Sequence, residues 1–269
     1  MKILGILNIT EDSFSDGGRF LVPDAARAHG AAMLQAGADI LDIGAASSNP
    51  DAQPVSAELE IERLNAVLPA LKAKGAVVSV DSFLPQVQRW ALSQGASYLN
   101  DIHGFAEPAF YPELAKAQAR LIVMFAVLGR GIATREDVSR EALFDRVIAF
   151  FDQRIEALTR AGIARDRLIL DPGMGFFVGN DPENSLLLLR RLPELRTRFG
   201  LPLLVSVSRK SFLRRIAEAP DPMGQRVLGA SLAAELFAAA QGADYLRTHA
   251  PGPLAAALKV RRALEKPAP

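Results

Sequence analysis

"QAGADILDIGA", residues 35–45, runs from a helix end through a glycine into a short apolar stretch broken by a carboxylate. The same unit returns as "SQGASYLNDIHG" (residues 93–104), "RAGIARDRLILDPGMG" (160–175) and "AQGADYLRTHAPG" (240–252). Glycine in that place is the expected left-handed helix stop. Between the units lie "VVSVDS" (77–82), "RLIVMFA" (120–126) and "LPLLVSVS" (201–208), near-continuous apolar runs of strand length. Strands buried on both faces read this way. The intervening segments, residues 57–74 and 135–161 among them, carry helical amphipathic periodicity with charged outer faces. Strand and helix therefore alternate along the whole chain.

Counting from the opening run at residues 3–7 to "ADYLRTHA" gives about eight strand candidates, and roughly 250 residues is the usual length of an eightfold parallel barrel. The expected architecture is a single α/β domain over residues 1–269, a (β/α)8 TIM barrel. A doubly wound open sheet would use the same elements, but it normally carries a G-x-G-x-x-G fingerprint near its first turn. None lies there. No linker, low-complexity tract or composition shift divides the chain, and the "EKPAP" tail reads as a frayed end.

Composition narrows the function classes. With 49% hydrophobic and 23% charged residues the chain has the profile of a globular protein with a large core. Lys plus Arg is 31 against 30 for Asp plus Glu, so no global field draws in nucleic acid or an anionic membrane, and any anion site must be local. There are 0 cysteines, which excludes disulfides, thiolate metal sites and a Cys nucleophile. The amino terminus lacks the length of a secretory apolar region, and no later run approaches a membrane span. The expectation is a cytoplasmic protein without membrane or nucleic-acid partners.

Polar residues stand at or just past the carboxyl ends of the apolar runs: Asn8, Asp42, Asp81, Asn100, Asp171, Ser208 with Lys210, and Arg247 with His249. One Asp after a strand is often just the N-cap of the next helix. The whole set is different, because in a parallel barrel those ends converge on the face where active sites are built. "NITEDSFSDGG" (8–18) then reads as a polar lid over that face rather than as an ordinary turn. Asp81, Asn100 and Asp171 offer acceptors and an amide, and Lys210 a donor, a set suited to a flat heterocycle with a donor-rich edge and a carbonyl. Arg247 and His249 follow the last strand, where barrels often hold phosphate.

At these residues the chain resembles the dihydropteroate synthases of folate biosynthesis. "GILNITEDSFSDGG", "DILDIGAASSNP", "SVDS", "YLNDI", "LILDPGMGF", "SVSRKSF" and "RTHAP" match that family's blocks in order, over essentially the full length. The resemblance implies a (β/α) barrel that joins p-aminobenzoate to 6-hydroxymethyl-7,8-dihydropterin pyrophosphate, with Mg²⁺ as cofactor and a homodimer as the assembly. It implies that the pterin lies against Asp81, Asn100, Asp171 and Lys210, with Asp81 and Lys210 catalytic. Asn8, Arg247 and His249 would hold the pyrophosphate, Asn8 also ligating Mg²⁺, and Ser208, Ser48, Phe176 and Phe177 would face p-aminobenzoate. His29 and His103 read as surface or supporting residues, and Lys210 as a ring contact rather than a Schiff-base lysine.

The chain also departs from most of that family. Ala46 stands where an acidic residue is usual, Asn49 where an arginine is, Phe177 where a glycine is, and Phe125 where a His is common. "GAASSNP" and "DPGMGFF" resemble its Sul-type, sulfonamide-insensitive branch. Two other readings share part of the pattern. A pterin-binding methyltransferase module would keep the Asp/Asn/Asp set but not "SVSRKSF", and a non-catalytic pterin-binding protein would not need Asn8 or His249.

Overall fold

In a strand buried on both faces, alternate residues must face the flanking helices or the sheet's other side, so each short run fills two cores at once. The computed structural model describes residues 1–10, 22–46, 55–127 and 139–265. In chain order it has β1 (Lys2–Asn8), α1 (Val22–Gln35), β2 (Ile40–Gly44), α2 (Ala57–Ala73), β3 (Val78–Asp81), α3 (Pro85–Ser93), β4 (Tyr98–Asp101) and α4 (Tyr111–Lys116). Then follow β5 (Arg120–Met124), α5 (Arg140–Arg160), β6 (Leu168–Asp171), α6 (Pro182–Arg190), α7 (Leu192–Phe199), β7 (Leu204–Val205), α8 (Ser211–Ile216), α9 (Gln225–Ala240), β8 (Tyr245–Thr248) and α10 (Pro251–Leu264).

The eight strands pair in parallel in the order β6-β5-β4-β3-β2-β1-β8-β7. The ring closes between β6 and β7 through an isolated bridge from Leu170 to Leu203, where the Leu170 amide donates to the Pro202 carbonyl at 2.9 Å. This is the expected eightfold barrel. Gly37, Gly95, Gly162 and Gly242, the stops that define the repeating unit, all take positive φ, between 70° and 105°. α2 occupies the expected segment, capped by the Ser56 hydroxyl, which accepts from the Leu59 amide at 3.3 Å. Within the expected helix at 135–161, α5 begins at Arg140, and residues 135–138 lie outside the described ones.

β7 is shorter than its sequence suggests. Residues 201–208 read as a full strand, yet only Leu204 and Val205 form the strand, with Leu203 in the isolated bridge. Pro202 has no N–H to contribute. Beyond Ser206 the chain leaves the sheet for a turn, in which the Lys210 amide donates to the Val207 carbonyl at 3.2 Å and Arg209 takes φ 57°.

The outward rows of the strands, Leu7, Ile43, Val80, Leu121, Leu170 and Leu246 among them, share one core with the buried stripes of the helices. The inward rows make a second core of Leu4, Ile40, Tyr98, Ile122, Ile169, Leu204 and Tyr245. Tyr98 and Tyr245 meet edge to face with centroids 6.3 Å apart, and Arg120 donates to the Tyr245 hydroxyl at 2.6 Å. This apolar plug fills the barrel's amino-terminal half. Two residues further along each strand, the next inward positions are Ile6, Asp42, Asn100, Met124, Asp171, Ser206 and Arg247. β3 contributes Ser79 and then Asp81 in the same way. A mostly polar tier therefore rests on an apolar one, and the period of two along each strand is what sets it there.

Candidate active site

Above that tier is a cavity of about 410 Å³, lined by residues from all eight strand ends or the segments just after them. Of the residues expected to form the site, Asn8, Asp81, Asn100, Asp171, Phe177, Ser208, Lys210, Arg247 and His249 all line it. Phe176 does not; it is half-buried and packs beside the cluster of Ile102, Met124, Ala126 and Phe177. Ser48 lies outside the described residues, as do the lid at 11–18 and Asn49. Phe125 is buried behind the wall, its ring edge-on to Phe150 at 5.3 Å, so it serves core packing.

The floor is an ion-pair network. Arg247 donates from Nε to Asp42 and from Nη2 to Asp81 at 2.6 Å, and Asn100 Nδ2 donates to Asp42 at 3.1 Å. Asp42 is fully buried, and Arg247 is 15% exposed and lines the cavity. Burial works against the Arg247 charge, but Asp42 and Asp81 more than offset it and raise its pKa. Burial raises the Asp81 carboxyl above the ordinary carboxylate range, against the downward pull of Arg247, with Asp42 and Glu60 adding to the rise. An arginine held by two carboxylates presents its guanidinium in a fixed plane, which a lysine could not do.

The opposite wall carries Asp171 and Lys210. Asp171 Oδ1 accepts from the Gly173 amide at 2.9 Å, and burial lifts its pKa to about 6, opposed by that amide and by Lys210. Burial and Arg247 lower Lys210 to about 8, so it stays protonated at neutral pH. Lys210 Nζ stands 4.5 Å from the centre of the Phe177 ring. Gly175 makes that approach feasible: it takes φ 66°, and a Cβ there would lie 3.2 Å from Lys210 Cδ. Asn100 Oδ1 is buried with no hydrogen-bond partner among the described residues.

At the end near β8, the Ser208 hydroxyl accepts from the His249 amide at 3.1 Å and lies 3.2 Å from His249 Nδ1. Burial lowers His249 to about 3, with Arg209, Arg247 and Lys210 adding to the effect, so the imidazole is neutral and has one N–H to donate. Ser208 is thus turned toward His249 as well as lining the cavity. His103 stacks on Phe83 with centroids 4.3 Å apart, supporting the wall from behind, and His29 is exposed on α1.

The sequence gives Asp42 a place at a strand end but no role, and does not mark Glu60 at all. The spacing of two from Ile40 places Asp42 inward beside Arg247. Glu60 lines the cavity from α2, and burial raises it to about 7. It occupies the buried stripe Ala57, Glu60, Leu64, Val67 and Leu71, and a carboxylate within an apolar stripe is the signal that points to it.

The chain matches the model of a family described as pterin binding enzyme over residues 4–249. It is 56% identical to the dihydropteroate synthase type-2 of Escherichia coli over 99% of this chain and 97% of that one. Its fold superposes on the Xanthomonas albilineans dihydropteroate synthase with 4-aminobenzoic acid at a TM-score of 0.88, with 34% identity over 98% of this chain and 93% of that one. A second structure of the Xanthomonas albilineans enzyme, in complex with 7,8-dihydropteroate, matches at a TM-score of 0.86 and 33% identity, over 99% of this chain and 94% of that one. Fold, site and likeness agree, and the chain belongs to the pterin binding enzymes, among the dihydropteroate synthases.

Proposed function

We propose that this enzyme transfers the pterinylmethyl group of 6-hydroxymethyl-7,8-dihydropterin pyrophosphate to p-aminobenzoate, giving 7,8-dihydropteroate and pyrophosphate. The observation that carries the reading is a single cavity that gathers Asp81, Asn100 and Asp171 with Lys210, Arg247 and neutral His249. Asp171 and Asn100, which line the cavity, suit the donor edge of the pterin, and Lys210 its carbonyl.

In the reaction the C–O bond between the pterin methylene and the pyrophosphate breaks, and the electron pair leaves with pyrophosphate. The methylene cation is conjugated with the ring, and the Asp81 carboxylate, fixed by Arg247, is aimed at that developing charge. The arylamine nitrogen then forms the new C–N bond and gives up its proton to the released pyrophosphate or to water. An arylamine is already a competent nucleophile, so the site needs no strong general base.

The Mg²⁺ implied for the family fits a sparse donor set. Among the described residues no three His, Asp or Glu gather as a cage, but Asn8 presents a hard oxygen beside Asp81 and Gly44, and Mg²⁺ is usually held by one or two protein groups plus phosphate oxygens and water. When bound there it would neutralise charge on the leaving pyrophosphate.

Phe177 supports a further reading, resistance to sulfonamides. It stands in the cavity wall with Ser208, and a sulfonamide is bulkier than p-aminobenzoate where the substrate carries a planar carboxylate. Phe177→Gly should strengthen sulfamethoxazole inhibition by about 10- to 200-fold, the span of a small steric difference in a pocket. Inhibition curves for the two proteins check this, and overlapping curves would remove Phe177 from the explanation.

The same reading includes a homodimer. α9 is apolar on nearly every face, yet Phe237 on it is 41% exposed and Val260 on neighbouring α10 is 60% exposed. A homodimer through this face would cover both side chains. Light scattering should return twice the 28.9 kDa of one chain; the monomer mass would reject the dimer.

A synthase differs from a mere pterin binder at its anion end. His249→Ala should weaken binding of the pterin pyrophosphate several-fold more than binding of the pterin alcohol by calorimetry. Equal losses for the two ligands would contradict the assignment.

A further inference from the structure

Phe177 reaches the cavity from a stretch of chain that does not hold itself in place. Gly175–Val178 is a single turn of 3-10 helix, too short to be stable alone, and Gly175 and the following Gly179 take φ 66° and 101°. The turn is fastened from outside by two adjacent residues of α6. Ser185 Oγ accepts from the Gly175 amide at 2.9 Å, and Asn184 Nδ2 donates to the Val178 carbonyl at 2.8 Å. Between these two points the Phe177 carbonyl accepts from the Val127 amide, just past β5, at 2.9 Å. Both ends of the turn and its middle are thus bonded to neighbouring elements.

Asn184 is 0% exposed and Ser185 1%, on the buried side of α6 with Leu188 and Leu189. An apolar residue would fill either place, and a buried amide or hydroxyl is tolerated there only because it is bonded. Neither residue lines the cavity. Their anchor is itself fixed: Asp181 caps α6 by accepting from the Glu183 amide at 3.0 Å, and pairs with Arg140 of α5 at 3.2 Å. On the other side of the turn, the Phe177 ring packs with Ile102, Met124 and Ala126 and stands 4.5 Å from Lys210 Nζ.

We infer that Asn184 and Ser185 are positioning residues that hold the Phe177 ring in the cavity wall, and so set the site's preference for an arylamine with a planar carboxylate over one with a tetrahedral sulfonyl group. The inference rests on the reading that Phe177 faces p-aminobenzoate. A steric barrier discriminates only while it cannot yield, because a ring that swings aside admits the bulkier molecule at little cost. Removing the Ser185 hydroxyl frees the turn at Gly175, whose backbone has the freedom to move. Removing the Asn184 amide frees the other end at Val178, next to Gly179. Selectivity at the wall is in this way a property of a helix that touches neither substrate.

The test is fluorine NMR of the ligand-free full chain carrying para-fluorophenylalanine in place of Phe177 or, as a control, of the buried Phe110 beside α4. The Phe177 position should give one narrow line in the otherwise unchanged protein. Ser185→Ala and Asn184→Ala should broaden or split that line and leave the Phe110 line where it is. In unlabelled protein each change should strengthen sulfamethoxazole inhibition about two- to tenfold, the effect of one hydrogen bond, with a smaller change in KM for p-aminobenzoate. Ser185→Ala, the gentler change, decides the matter if Asn184→Ala does not fold. An unaltered Phe177 line in Ser185→Ala, a Phe110 line that moves with it, or wild-type inhibition in Ser185→Ala while Phe177→Gly is sensitised would overturn the inference. If Phe177→Gly is no more sensitive than wild type, the sulfonamide reading fails by itself, and the fluorine line still judges whether α6 holds the ring.

Discussion

Arg247→Met will destabilise the protein by about 3 to 5 kcal/mol at neutral pH, because removing one partner of a buried ion network leaves the others charged and uncompensated. The stranded partners are Asp42, fully buried, and Asp81, which Arg247 holds at 2.6 Å. The loss should depend on pH in a definite sense. In the folded state Asp81 is already raised above its unfolded value, chiefly by burial, so the folded protein binds protons more readily and stability falls as pH rises through that window. Without Arg247 the downward pull disappears, the folded-state value climbs further and the fall steepens. The variant should therefore lie closest to wild type in mild acid and furthest from it above neutrality. Urea unfolding at several pH values measures this; a constant difference across the range would mean that the network does not bear the charge assigned to it.

Asp171→Asn will cost about 2 to 4 kcal/mol in pterin binding while leaving the fold intact, since it sets an amide donor against a donor edge and leaves buried groups unpaired. Asp171 is 2% exposed, and its side chain accepts from the Gly173 amide, two residues away, a bond that the Asn carbonyl oxygen can keep. The substitution also removes a group that burial raises, and the folded protein should melt at or slightly above the wild-type temperature near neutrality. Calorimetry with the pterin alcohol, set beside thermal melts, separates binding from folding. Unchanged affinity in a folded variant would move the ring away from β6.

Much of this was legible in the sequence for a simple reason. A strand buried on both faces writes itself as an apolar run, and the glycine stop before it marks where the run begins, so β2, β4, β6 and β8 could be read directly from their repeating unit. The residue types at the strand ends were legible too, because polar groups there have no structural need. What the chain does not write locally is orientation. Asp42 and Arg247 are 205 residues apart, and only the pairing of β2 and β8 on either side of β1 brings them together. Glu60 comes from a helix, on a buried stripe that periodicity alone assigns to apolar packing. Ser208 shows the same limit: its place at a strand end was evident, but its turn toward His249 depends on the early end of β7. Phe176 and Phe177 are adjacent, and a turn of 3-10 helix sends just the second into the cavity.

The claim that the polar tier of the barrel is a dihydropteroate synthase site is tested most directly by its product. Purified protein is incubated with 6-hydroxymethyl-7,8-dihydropterin pyrophosphate, p-aminobenzoate and Mg²⁺, and the mixture is analysed by mass spectrometry beside a parallel reaction with Asp171→Asn. The account predicts 7,8-dihydropteroate and released pyrophosphate with wild type and a loss of at least about 30-fold in rate with the variant, the kinetic equivalent of 2 kcal/mol. Folded wild-type protein that binds the pterin pyrophosphate yet forms no dihydropteroate, or a variant that forms it at the wild-type rate, would contradict it.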